Sequence, residues 1–227
     1  MPCGAGSNVL GLSIGFNEAA SHRVVDMREC HILSPALFAL VEPLRRLLAG
    51  LLPDRREARV DLTLADQGVD LFIEGVSGEG LAAAEALTDL SREHGLARLS
   101  LADGLGPQSW WEPRPVTVTL GGVAVPLPPG AFLQATTDGE AALVDEALAM
   151  AAGARRVADL VAGVGTFALA FRCSAEVVAI EGAANAVAAL IFAARRAERP
   201  ISVEHRDLFR RPLAPAQAGQ GRRRALG

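Results

Sequence analysis

Residues 157–181, VADLVAGVGTFALAFRCSAEVVAIE, constrain the fold of this chain more than any other stretch. An apolar run ends in Asp159-Leu160-Val161, glycines follow at 163 and 165, and a second apolar run, Val177 to Ile180, ends on Glu181. The order reads as strand, glycine turn, helix, strand, the pattern of a βαβ unit in a parallel sheet. Glycines at such a turn let a ligand approach the backbone. An acid at the tip of the next strand can accept hydrogen bonds from a ribose. The stretch therefore predicts a nucleotide-type site at the mouth of a parallel sheet.

Composition removes several alternatives. Half of the 227 residues are apolar, ample material for a core. No apolar run of 18 or more residues lacks charge, and no cationic segment leads an apolar one at the N-terminus. The expectation is a soluble cytoplasmic protein without a membrane span or secretory signal. Three widely spaced cysteines argue against a disulfide framework, and a net charge of −4 is no general invitation to nucleic acid. All 22 residues counted as lysine plus arginine are arginine. A Walker phosphate loop and a pyridoxal Schiff base both need lysine, so both are excluded.

Taken in order, residues 9–16 read as a strand and His22 to Met27 as its return. Ser34-Pro35 caps and starts a helix running to about Leu51, with Pro43 a point where it could kink or split. Val60 to Leu64 and Val69 to Ile73 flank Asp66-Gln67-Gly68 as a hairpin. Gly80 to His94 has helical spacing with Gly95 as its stop, and Leu96 to Leu101 reads as a strand. These elements make a compact α+β module over about 7–103. Residues 104–115 break the pattern with glycine, proline and paired tryptophans, which places a domain boundary or crossover there. Two further strands, Val116 to Leu120 and Val123 to Leu127, flank Gly121-Gly122. After the loop 128–136 come a helix over about 138–152, the glycine-turn unit, a helix from Ala183 to Arg196 and a strand from Ile201 to His205. The expected organisation is an α+β domain over 1–115, a doubly wound Rossmann-like α/β domain over 116–213, and a disordered tail over 214–227.

Gly163 to Ala168 formally fits the G-x-G-x-x-G/A pattern of dinucleotide binding, and Glu181 follows Gly163 by 18 residues. By itself that pattern also fits a buried glycine turn with no ligand. Two acids favour S-adenosylmethionine over NAD. Asp159, four residues before Gly163, could meet a cationic amino-acid moiety but would repel a pyrophosphate. Asp207, after the third strand, suits an adenine amino group.

Several segments resemble, in order, the S-adenosylmethionine-dependent RNA uracil-C5 methyltransferases, which make 5-methyluridine in ribosomal or transfer RNA. They are SHRVVDMRECHILSP at 21–35, PPGAFLQAT at 128–136, DLVAGVGTFALA at 159–170, VVAIEG at 177–182 and HRDLFRRPL at 205–213. The resemblance implies a class I methyltransferase domain, incomplete and with its first strands only, preceded by a small α+β domain. It implies a cofactor site at Gln134, Asp159, Gly163, Gly165, Glu181 and Asp207, with RNA as partner and a monomeric state. Ala162 stands where the family has cysteine, and Thr136 replaces an asparagine, so the F-x-Q segment around Gln134 matches in part.

The reaction of that family needs a thiolate that adds to uracil C6, so that C5 becomes enolate-like and takes the methyl group. A base then removes the C5 proton. The family carries these groups on an Asp-Pro loop, a Ser-Cys-Asn-Pro segment and a later glutamate. None occurs here, so no catalytic residue is assigned and both are expected beyond residue 227, the chain being a piece short of its family at both ends. Cys173, after the glycine loop, reads as a buried structural thiol. Cys30 matches the last of four ligands of a 4Fe–4S cluster in some members, but with only Cys3 upstream a cluster is not expected. His22, His31, His94 and His205 are dispersed and suggest no metal site. Two other readings stay open: a non-catalytic cofactor- or RNA-binding remnant, and an NAD-dependent oxidoreductase.

Overall fold

The computed structural model describes residues 2–213 apart from 9–10, 22, 103, 105 and 172–174, with the backbone alone at 2–8 and 11. The chain divides into two compact units. One comprises Met1–Thr117 with Leu133–Thr137, the other Val118–Phe132 with the residues from Asp138 onward.

The first unit is built on a mixed seven-stranded sheet. Its strands are β1 (Pro2–Asn8), β2 (Gly11–Asn17), β3 (Val24–Asp26), β4 (Glu57–Ala65), β5 (Gly68–Glu74), β6 (Arg98–Ala102) and β7 (Pro107–Trp111), in the order β3-β2-β1-β4-β5-β6-β7. All pairs are antiparallel except β5 with β6, where α3 (Leu81–Glu93) makes the crossover that a parallel pair requires. Helices α1 (Pro35–Phe38) and α2 (Val41–Leu51) follow β3.

Alternation fixes which face is core. Val60 and Leu62 of β4, Leu71 and Ile73 of β5, and Leu99 of β6 are buried with Leu44 and Leu48 of α2 and Leu87 of α3. The opposite face of the same strands buries several polar side chains, Asp61, Asp70, Arg98 and Ser100, beside Phe72. There Arg98 lies flat against Asp70, its cross-strand neighbour, with Nε and Nη2 donating to the two carboxylate oxygens at 2.8 and 2.6 Å.

One expectation for this unit needs correction, and two of its strands, β1 and β7, were not foreseen. The helix begun at Ser34-Pro35 breaks at Ala39-Leu40, not at Pro43. Pro43 sits in the first turn of α2, where a missing N–H costs no helical bond. Within the segment read as a domain boundary or crossover, residues 107–111 form a strand that pairs antiparallel with β6, and the Trp111 ring donates to the Leu96 carbonyl at 3.0 Å. The strand expected at 9–16 is β2, and the glycine-rich segment before it forms β1, paired with both β2 and β4. His22 and residues 9–10 lie outside the described residues.

The second unit holds the hairpin β8 (Thr117–Leu120) and β9 (Val123–Pro126), then α4 (Thr137–Met150), counting Thr117 and Thr137 with the elements they begin. Strands β10 (Arg156–Leu160), β11 (Glu176–Glu181) and β12 (Ile201–His205) follow, with α5 (Ala184–Arg196) between the last two. The three strands are parallel and in sequence order, with Leu160 beside Ile180 and Ile180 beside Glu204. The buried stripe of α5 is mostly alanine (Ala186, Ala189, Ala193, Ala194), which lets the helix lie close to β11, β12 and β9. The hairpin turn needs glycine: Gly121 is left-handed (φ 56°), and a side chain there would run into the Leu169 carbonyl. After the glycine loop the expected helix appears as a four-residue 3₁₀ turn, Ala168–Phe171. The tail 214–227 lies outside the described residues.

Candidate functional site

Parallel strands carry ligands at their carboxyl ends, and the acids and glycines singled out above collect there. Asp159 is the fourth residue of β10 and is 9 % exposed. Its Oδ2 accepts the Ala168 N–H at 2.9 Å, tying the strand to the 3₁₀ turn across the glycine loop. Burial pushes the Asp159 carboxyl above the usual range, the Ala168 amide opposes the shift, and the negative charge of Glu181 adds to it.

The loop 161–167 is shaped by its backbone. Ala162 N–H donates to the Ile180 carbonyl at 3.0 Å, and Gly165 N–H to the Ala162 carbonyl at 2.9 Å. Ala162 and Val164 are buried, 6 % and 2 % exposed, and Gly163 between them is left-handed at φ 56°. A Cβ on Gly163 would meet no atom within 4 Å, so open space lies beside the loop. Gly165 has the opposite reason for being glycine: a side chain there would collide with Leu190 of α5. Val161 also takes a left-handed conformation, φ 63°, which is strained for a β-branched residue and marks the loop as held by its surroundings.

Glu181 closes the site. Its Oε2 accepts the Gly163 N–H at 2.7 Å, while Oε1 accepts those of Gly182 (2.7 Å) and Ala183 (2.8 Å). One carboxylate, 8 % exposed, therefore joins the glycine loop to the turn that starts α5. The positive end of the α5 dipole favours a negative charge there. His205 Nε2 shares a hydrogen bond with the Gly182 carbonyl at 2.9 Å.

Of the six residues the sequence proposed, Asp159, Gly163, Gly165 and Glu181 come together in this network. Asp207 lies two residues past β12, where its Oδ1 accepts the N–H groups of Phe209 (2.9 Å) and Arg210 (3.2 Å). Gln134 lies in the 133–137 segment that belongs to the first unit. Gly182, Ala183 and Val161 were missed. A backbone donor leaves no mark in composition, and only the spacing from an acidic strand end could have pointed to the first two. Cys30 is half-buried and its Sγ accepts the Leu33 N–H at 3.4 Å. Among the described residues no group of three His, Cys, Asp or Glu side chains could hold a metal. Cys3 is described by its backbone alone and Cys173 lies outside the described residues. No described helix is long and apolar enough to cross a membrane.

The parallel strands, the glycine loop and the acid at the next strand end define a methyltransferase-type α/β unit. Comparison with known proteins bears this out. The chain superposes on a tRNA (uracil-54, C5)-methyltransferase of Pyrococcus abyssi, solved with S-adenosyl-L-homocysteine. The TM-score is 0.64 at 16 % identity, covering 91 % of this chain and 55 % of that one. In sequence it is 48 % identical over 202 residues to an uncharacterised RNA methyltransferase of Zymomonas mobilis, covering 89 % of this chain and 51 % of the relative. It is 35 % identical over 178 residues to the 23S rRNA (uracil(1939)-C(5))-methyltransferase RlmD of Edwardsiella ictaluri, covering 77 % and 40 %. No protein-family model matches. The chain is a homologue of the RNA methyltransferases and spans about half the length of the curated relatives it matches.

Proposed function

We infer that this chain supplies the cofactor half of an S-adenosylmethionine-dependent RNA uracil-C5 methyltransferase, acting on ribosomal or transfer RNA in the cytoplasm. The observation that carries the reading is the Asp159–Gly163–Glu181 constellation at the carboxyl ends of β10 and β11. Open space beside Gly163 admits a ligand against the backbone. Glu181 offers acceptor capacity to ribose hydroxyls, since its donors so far are three backbone amides and an ionised carboxylate has about four lone-pair sites. Asp159 offers a carboxylate to an ammonium. Asp207 is assigned to the same cofactor, and Gly165 to the close packing of the loop on α5. When bound, S-adenosylmethionine supplies an electrophilic methyl group. The cysteine and base that would activate uracil are not assigned to residues of this chain.

Calorimetry with S-adenosylhomocysteine, with NAD as control, tests the reading. Asp159 has its carboxyl raised by burial, so the fold favours the neutral acid: that contribution to stability is full at low pH and is lost as pH rises through the raised value. A cationic amino acid favours the ionised form. Affinity for S-adenosylhomocysteine is therefore expected to fall on acidification, beginning above the pH at which an ordinary aspartate would protonate. Asp159→Asn should bind more weakly and lose that acid-side dependence. Binding of NAD in preference to S-adenosylhomocysteine would sink the assignment.

A further inference from the structure

The turn after β12 presents Phe209 to solvent at 99 % exposure, although its backbone is firmly held. Asp207 accepts the Phe209 and Arg210 amides on its carboxylate, and its carbonyl accepts the Arg211 N–H at 2.8 Å. A turn fixed in this way carries an aromatic ring outward at little entropic cost to whatever binds it. Two cations stand beside the ring in sequence. Arg210 has a side chain 87 % exposed and only a loose, solvent-screened pairing with Asp207 at 3.4 Å. Arg211 is exposed and its Nη2 donates to the His205 carbonyl at 3.4 Å.

The position of this turn matters as much as its composition. Since β12 runs parallel to β10 and β11, its exit lies at the carboxyl end of the sheet. The backbone there touches the turn that Glu181 holds: a Cβ on Gly182 would lie 3.6 Å from the Asp207 Cα. An RNA that delivers a base to a methyl donor has to approach this same end. An exposed ring flanked by arginines is the combination that takes single-stranded nucleic acid, with a base stacked on the ring and phosphates on the guanidinium groups.

We propose that Phe209, Arg210 and Arg211 form a contact platform for single-stranded RNA on the rim of the cofactor site. The proposal rests on the reading of the chain as part of an RNA methyltransferase. Asp207 then acts as a positioning residue for the platform, through the turn it caps.

The test is fluorescence anisotropy of the full chain with a labelled single-stranded RNA of about twelve nucleotides and with its duplex, alongside S-adenosylhomocysteine calorimetry on the same samples. Phe209→Ala is expected to weaken single-strand binding about tenfold, within the range for loss of one base–aromatic stack, and Phe209→Tyr to retain it. Arg210→Gln and Arg211→Gln should each lower the slope of log affinity against log salt by about 0.7. Cofactor affinity should be unchanged in all four variants. Wild-type affinity for RNA in the Phe209→Ala and both arginine variants would overturn the platform, as would equal binding of duplex. So would loss of cofactor rather than RNA in Phe209→Ala, since the ring would then serve the cofactor. A chain that binds the cofactor but no RNA would reject the platform and leave the cofactor reading standing; a chain that binds RNA through Phe209 but no cofactor would do the reverse.

Discussion

The two units bury carboxylates in opposite ways. In the first, Asp70 is matched by the fork of Arg98, charge against charge, both side chains about 5 % exposed. In the second, Asp159 and Glu181 are held by backbone amides, with open space next to one of the donors. The first arrangement consumes the geometry of both partners and asks for nothing from outside. The second fixes each acid in place yet leaves acceptor capacity over, which is what a binding site requires. Burial alone would have ranked Asp70 beside Asp159 as a functional candidate; the identity of the hydrogen-bond donors separates them.

This contrast can be broken by substitution. Arg98→Ala should give the largest effect, a loss of about 3–5 kcal/mol, because it leaves Asp70 buried without its cation. Hydrogen exchange should quicken across β4 to β6 and stay unchanged in β10 to β12. Glu181→Gln should be milder, about 1–3 kcal/mol, since a carboxamide turns an N–H₂ toward one of the amides it replaced an acceptor for. Here exchange should quicken at Gly163, Gly182 and Ala183 while β4 to β6 hold. If either variant loosens both regions equally, the separation drawn between them is wrong. Smallest of all, Met150→Gln on α4 should shift stability by no more than about 0.5 kcal/mol. That side chain is 81 % exposed and α4 buries no residue, so a larger loss in a thermal melt would show that its face is covered.

Much of the second unit was legible in the sequence because its elements are locally consistent. Strand β12 was expected at Ile201–His205 and found there, and β11 ends on Glu181 as read. Apolar runs bounded by Pro200 and by glycines leave little freedom in assignment. Strand β1 was not legible, since PCGAGSN has no β-branched or aromatic residue and gains strand structure from pairing with β2 and β4. Strand β7 was missed for the opposite reason: proline and glycine around Trp110-Trp111 read as a domain boundary or crossover, but β6 offered an edge to pair with. The break at Ala39-Leu40 is invisible because the apolar periodicity runs through it. Within the site, Asp159, Gly163, Gly165 and Glu181 could be named from spacing. That Asp207 caps a turn, and that Glu181 bridges two loops, depends on where backbone amides come to lie, which only folding decides.

The three amides on Glu181 also bear on how the protein responds to salt. Mobile ions screen exposed charges over about 8 Å at physiological ionic strength, but they reach a buried carboxylate satisfied by peptide dipoles far less. Contacts of arginine with phosphate, by contrast, weaken steeply as salt rises. Raising ionic strength should therefore leave the loop around Gly163 in shape, while it would release any polyanion held by exposed arginines.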